Sequence, residues 1–174
     1  MTWLSTERLT LHRWTGADRN DLAALAALPE VVRHVGDGTP WSAELVSGKH
    51  DAALAHWAEH GFGRLAVRDR AGAFVGLVSA NRRTAEESHV DGPAVEIGYW
   101  VAPSAWGRGY ATEMTSAVVA ELFARDRADR LMARHFAANT VSGRLLDKLG
   151  FTRHHVVDGL VWSVLDRPAR AATP

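Results

Sequence analysis

Cysteine is missing from all 174 residues. Its absence excludes a disulfide framework, a thiolate zinc site, an iron–sulfur cluster and a cysteine nucleophile. Net charge is missing as well, because 20 Lys and Arg offset 20 Asp and Glu. Nothing electrostatic therefore favours wrapping nucleic acid or lying on an anionic membrane. No apolar run approaches the roughly 18 residues that span a bilayer, and the N-terminus lacks the basic and apolar regions of a secretory signal. A cytoplasmic protein with no membrane and no nucleic-acid partner is the expectation. No repeat period emerges, and low complexity is confined to the last eight residues.

What is present is enough apolar chain for a core: 47% of the residues are hydrophobic and 23% charged. A chain of this size buries roughly 70% of its unfolded surface without help from metals or disulfides. The reading is one domain over residues 1–166 and a frayed tail over 167–174.

Hydrophobic spacing predicts a mixed α/β order. Arg8 to Trp14 alternates as a strand, and Asp18 to Leu28 has helical spacing that Pro29 stops. Ser42 can cap a second helix with Leu45, Leu54 and Trp57 on its buried face, Gly48 weakening it and Gly61 ending it. Gly63–Val67, Phe74–Ala80 and Ala94–Val101 read as consecutive strands. A helix over Gly109–Ala124, a strand over Leu131–Phe136, a helix over Thr140–Leu149 and two short strands near Thr152–Val157 and Leu160–Leu165 complete the pattern.

The most informative stretch is Ala94-Val95-Glu96-Ile97-Gly98-Tyr99-Trp100-Val101-Ala102-Pro103-Ser104-Ala105-Trp106-Gly107-Arg108-Gly109-Tyr110-Ala111-Thr112-Glu113. It reads strand, short loop, helix. Gly107 and Gly109 remove Cβ atoms where the loop enters the helix, so backbone N–H groups can face one anion beside the helix's positive end. A Walker loop is excluded because Gly-Lys-Ser/Thr does not occur. A dinucleotide fingerprint fits poorly, because Thr112 stands where its third glycine belongs. Further on, Asn139 can cap a helix, with Val141, Leu145 and Leu149 as its buried stripe and Gly150 as its exit. Asn139 and Ser142, one turn apart, can present an amide and a hydroxyl at the same helix end.

Trp106-Gly107-Arg108-Gly109-Tyr110-Ala111 resembles the acyl-CoA signature of the GNAT superfamily of N-acyltransferases, with Trp106 where the general pattern has Gln or Arg. Glu96-Ile97-Gly98-Tyr99-Trp100 and Trp106-Gly107-Arg108-Gly109-Tyr110-Ala111-Thr112-Glu113 together are similar to the branch that holds the ribosomal-protein N-terminal (alanine/serine) acetyltransferases. So is Asn139-Thr140-Val141-Ser142-Gly143-Arg144-Leu145-Leu146-Asp147-Lys148-Leu149-Gly150-Phe151.

That resemblance implies a fold and a reaction. The fold is α/β, a mixed and largely antiparallel twisted sheet flanked by helices, with a splayed pair of central strands. The reaction is direct acetyl transfer from acetyl-CoA to a primary amine, either a protein N-terminus or a small molecule. A catalytically silent acyl-CoA-binding or protein-interaction module is the alternative. The donor would be held by Val101, Trp106, Gly107, Arg108, Gly109, Tyr110, Ala111, Thr112, Asn139 and Ser142. The Val101 N–H would polarise the acetyl carbonyl, and Ser142 would assist the departing thiolate. The resemblance is compatible with a homodimer, for which composition offers no support.

Glu96 is the first candidate base, because period-two alternation sets it with the small Gly98 on a face where a ligand has room. A salt bridge is its bland alternative. Asp158 is a reserve carboxylate. Trp41, in a loop between the first helices, and Asn81, after Phe74–Ala80, are expected with Glu96 on the acceptor side. No metal is expected. His56-Trp57-Ala58-Glu59-His60 matches an inverted zinc-protease pattern, but a catalytic zinc requires a third ligand that the pattern does not identify. His154 and His155 should point to opposite strand faces. Most of the seven tryptophans are expected to anchor the core.

Overall fold

The computed structural model describes residues 1–169. Its strands are β1 (Thr2–Ser5), β2 (Leu9–Arg13), β3 (Leu65–Asp69), β4 (Phe74–Arg83), β5 (Ala94–Val101), β6 (Arg130–Phe136), β7 (Thr152–Val157) and β8 (Leu160–Asp166). Its helices are α1 (Arg19–Ala26), α2 (Pro29–Val32), α3 (Ala43–His60), α4 (Ala85–Ser88), α5 (Tyr110–Ala124) and α6 (Thr140–Lys148). The sheet is mixed, in the order β1-β2-β3-β4-β5-β6-β8-β7. Its registered pairs are antiparallel except for the parallel β5–β6 pair. The expected α/β class and largely antiparallel sheet are both present.

The chain forms two compact units. The first comprises Met1–Asn81 and Ile97–Val118; the second comprises Arg82–Glu96 and the residues from Val119 onward. In the first unit, β2 lies antiparallel to β3 with Leu11 opposite Val67, and Leu9, Leu11, Trp14, Leu22 and Val67 are fully or almost fully buried. Helix α3 starts where Ser42 accepts a hydrogen bond from the Leu45 N–H and ends at Gly61 with φ +70°. It runs through Gly48 without a break. Its buried face is Val46, His50, Ala53 and Trp57, whereas Leu45 is exposed. Of the expected stripe, Trp57 is buried and Leu54 half-buried, whereas Leu45 is replaced on the inner face by its neighbour Val46, because the Ser42 cap fixes the helix's rotation. Pro29 opens α2 at its first turn, a position where its missing N–H costs nothing.

In the second unit, Val90, Ala94, Met132 and Trp162 form a buried cluster. β6 pairs with β8 along its whole length, from Arg130↔Asp166 to Phe136↔Leu160. The β5–β6 register holds only Val95↔Leu131 and Glu96↔Met132, so the ladder is two residue pairs long within longer strands.

Several local expectations are corrected. β7 carries a bulge between Arg153 and His155, which breaks the alternation. His154 and His155 therefore meet, Nδ1 to Nδ1 at 2.7 Å, instead of pointing apart. Three tryptophans, Trp14, Trp57 and Trp162, are buried; Trp3, Trp41 and Trp100 are half-buried and Trp106 is exposed. Arg167 is tied down and not frayed: its N–H donates to Asp129 O at 2.8 Å and its guanidinium to Ala128 O. Residues 170–174 of the expected tail lie outside the described residues.

Candidate active site

In the first unit, the end of β5 leads into the loop that the sequence singled out. Ala102 N–H donates to Val75 O at 2.8 Å, and a 3-10 turn over Pro103–Ala105 follows. The Trp106 indole N–H then donates to Val101 O at 2.8 Å, closing the loop onto the strand that precedes it. Trp106 is 47% exposed, and this bond commits its one polar side-chain atom. Its indole fastens the loop, a role that the glycine pattern alone did not reveal.

Gly107 and Gly109 have φ of +72° and +75°, a region that a residue with Cβ rarely enters. The loop from Trp106 to Gly109 is exposed, and Tyr110 is buried at the start of α5. Glu113 N–H donates to Gly109 O at 3.1 Å, which makes Gly109 the residue that opens the helix. The first amides of α5, including those of Tyr110, Ala111 and Thr112, precede any intrahelical acceptor. An exposed loop, left-handed glycines and a helix N-terminus give the donor set that an anionic pyrophosphate needs.

A side-chain network that sequence reasoning missed backs this loop. Glu113 Oε1 accepts from Thr6 Oγ1 at 2.5 Å and from Arg8 N–H at 3.0 Å, and its Oε2 accepts from Arg8 Nε at 2.7 Å. Burial pushes the Glu113 carboxyl up, but these bonds and the Arg8 charge together hold it below the ordinary glutamate value. Arg8 Nη1 donates to Arg108 O at 2.9 Å. No local spacing signals these contacts, because Arg8 and Glu113 lie 105 residues apart.

Of the two residues of this unit expected on the acceptor side, Trp41 meets Trp100 edge-on, with ring centroids 4.9 Å apart. Trp41 N–H donates to Ala26 O at 3.0 Å, fixing the loop that carries it. Asn81 lies within β4, which runs on to Arg83, and is half-buried. Ser79, two residues before it, donates its hydroxyl to Gly98 O at 3.4 Å.

In the second unit, Glu96 is clasped by two arginines. Arg83 donates to Oε2 from Nε at 2.7 Å, and its Nη2 lies 2.6 Å from the same oxygen; Arg134 Nε donates to Oε1 at 2.9 Å. The Glu96 side chain is 13% exposed. The ion pair set against its catalytic role in the sequence is thus formed twice over, and a proton reaches this carboxylate only on lone pairs that the guanidiniums leave.

Asn139 caps α6, its Oδ1 accepting from Ser142 N–H at 3.2 Å. The cap and Ser142 come together as the spacing required. The buried face of α6 is Leu145 and Leu146, and Val141 is 66% exposed. Val141 therefore leaves the expected stripe, because the cap turns the helix's first residues outward. His135 of β6 packs on this helix, its Nε2 3.0 Å from where a Cβ on Gly143 would stand. Burial, only partly opposed by Asp147, lowers the His135 pKa, with Arg153 adding to the lowering.

Asp158 lies at the exposed tip of the β7–β8 turn, with φ +49°. His56 and His60 face each other with centroids 4.4 Å apart, but no group of three potential ligands able to hold a metal exists among the described residues.

The acetyltransferase (GNAT) domain model matches residues 8–152. The chain belongs to the GNAT acetyltransferase family. The acetyltransferase is 30% identical over 161 residues to the uncharacterized N-acetyltransferase YoaA of Bacillus subtilis (strain 168), covering 88% of this chain and 85% of that one. Its fold matches an acetyltransferase from Agrobacterium tumefaciens str. C58 with a TM-score of 0.78 at 24% identity, over 93% of this chain and 92% of that one. It also matches the RimL ribosomal L7/L12 alpha-N-protein acetyltransferase in complex with coenzyme A, with a TM-score of 0.75 at 14% identity, over 95% and 98% of the two chains. The acetyltransferase is an N-acetyltransferase whose donor is acetyl-CoA, as throughout this family. None of its helices, among the described residues, is long and apolar enough to cross a membrane.

Proposed function

We propose that this acetyltransferase passes the acetyl group directly from acetyl-CoA to a primary amine, and that an α-amine, on a protein N-terminus or a small molecule, suits it better than a lysine side chain. The observation that carries the reading is the loop from Trp106 to Thr112, with two left-handed glycines and a helix N-terminus facing outward. Amides so arranged favour an anion and hold the remote part of the donor, which positions the thioester for attack.

In the proposed reaction, the amine nitrogen forms a bond to the acetyl carbonyl carbon and the carbon–sulfur bond breaks. The nitrogen sheds one proton and the departing thiolate gains one. The Val101 N–H polarises the carbonyl, so that negative charge develops toward a donor already in place. Ser142 hydrogen-bonds the thiolate; a thiol near pKa 8.5 needs little more at neutral pH. Glu96 receives the amine's proton through water, held in one orientation by Arg83 and Arg134. An α-amine near 8 is partly deprotonated at neutral pH, whereas lysine near 10.4 is not. Asn139 and Ser142 complete the donor contacts; Trp41 and Asn81 meet the acceptor. The absence of cysteine, a common covalent acyl carrier, favours direct transfer.

The test is thiol release from acetyl-CoA with a panel of amines: N-terminal peptides of varied first residue, lysine peptides, polyamines and simple aryl and alkyl amines. Release with α-amines above the lysine peptides supports the reading. Tight acetyl-CoA binding with no transfer to any amine overturns it.

A further inference from the structure

The network behind the phosphate loop assigns a task to a residue far from it in sequence. A trans peptide is planar, with its C=O and N–H pointing in opposite directions, and the chain has no cis peptide among the described residues. Arg8 Nη1 holds the carbonyl of Arg108 at 2.9 Å. The N–H of the same peptide belongs to Gly109 and therefore points away from Arg8. The following peptide is oriented in the same manner: Gly109 O accepts from Glu113 N–H along the helix, so Tyr110 N–H points out of the helix's open end. Two successive amides thus have their directions set by two bonds, one from the helix itself and one from Arg8.

Arg8 is in turn held firmly. Its Nε and Nη2 both meet Glu113 Oε2, at 2.7 and 2.5 Å, and its guanidinium carbon lies 4.8 Å from the Tyr110 ring centroid. The Arg108 guanidinium lies at the same 4.8 Å from that ring. With two nitrogens committed to Glu113, the Nη1 of Arg8 has one direction left. A lysine supplies a single nitrogen and cannot reproduce both contacts.

We propose that Arg8 is a positioning residue for the donor, turning the Gly109 amide outward to the pyrophosphate of acetyl-CoA through its hold on the Arg108 carbonyl, with Glu113 as its anchor. This rests on the donor reading given above and extends it to a residue outside the loop.

The experiment is calorimetric titration of acetyl-CoA and of acetyl-dephospho-CoA, which keeps the pyrophosphate and lacks the 3′-phosphate. The proteins are wild type, Arg8→Ala, Arg8→Lys, Glu113→Gln and Leu22→Ala, each with a melting temperature. Leu22 is almost fully buried in the same unit and takes no part in the network, so Leu22→Ala reports loss of structure alone. Removing a hydrogen bond made by a charged group predicts about a tenfold loss of affinity in Arg8→Ala, equal for the two ligands. Arg8→Lys and Glu113→Gln should lose affinity in the same direction, and Leu22→Ala should keep it at a lowered melting temperature. With an amine that the enzyme accepts, Arg8→Ala should raise KM for acetyl-CoA and leave kcat at saturating donor unchanged.

Wild-type affinity in Arg8→Ala overturns the proposal. So does a loss confined to acetyl-CoA, which would make Arg8 a direct contact of the 3′-phosphate, and so does an equal loss in Leu22→Ala. Failure of the wild-type protein to bind acetyl-CoA at all would instead strike the donor reading, which keeps the two failures apart.

Discussion

The carbonyl oxygen of Trp100 occupies the space where Gly76 would carry a side chain: a Cβ there would stand 2.1 Å from that oxygen and 3.0 Å from the Val101 Cα. Gly76 sits beside the register shift of β3–β4, opposite Val67, and Ala102 bonds the neighbouring Val75. The end of β5, which leads into the Trp106–Gly109 loop, is therefore seated on a strand position that admits only hydrogen.

Gly76→Ala should then be costly out of proportion to its size. Backbone atoms cannot step aside as a flexible side chain can, and overpacking of this kind costs about 1–3 kcal/mol. Chemical denaturation should show a loss at the upper end of that range, with acetyl-CoA affinity lowered as Val101 shifts. Unchanged stability would mean that β5 has freedom at its end.

Gly109→Val tests the loop itself. At φ +75° a β-branched residue is strained by roughly 1–3 kcal/mol, and the loop relieves this by rotating its amides. Acetyl-CoA affinity should fall at least tenfold while the far-ultraviolet circular dichroism spectrum is kept. Native affinity would refute the amide cradle.

Glu96→Gln removes the charge clasped by Arg83 and Arg134. If Glu96 takes the amine's proton, turnover should drop by about 100-fold, the low end for a general base, with donor affinity little changed. Ordinary turnover would leave Glu96 as an ion-pair residue only.

His135 should make stability depend on pH. Burial lowers its pKa in the folded chain, so the unfolded chain binds the proton more readily. The stabilisation is complete above the unfolded value near 6.5 and is lost as pH falls through the lower folded value. The melting temperature should drop between pH 7.5 and 5, and His135→Gln should flatten that drop relative to wild type. Parallel curves would show that His135 is not the group responsible.

The parts of the site that were legible in the sequence are those made by neighbours along the chain. The glycines at 107 and 109, the Asn139 cap and the exit at Gly150 act within one turn, so residue type and spacing suffice. The rotation of α3 and α6 was misjudged at Leu45 and Val141, because the cap sets the phase and the apolar pattern leaves one residue of slack. Glu96 could be seen to lie on an open strand face, but its arginines, 13 and 38 residues away, had no local signal. Arg8 was hidden for the same reason. The bulge at His154 depends on the strand beside it, and no pattern within β7 announces an extra residue.

That bulge has a use apart from chemistry. β7 is the last strand in its direction of the sheet order, and an outermost strand invites another chain to add on through its unpaired backbone groups. The extra residue kinks that template, and Arg153, His154 and His155 crowd it with polar side chains. A copy of the chain that approached there would find no straight run to zip against until Val156 and Val157, two residues too few to grow a fibril from.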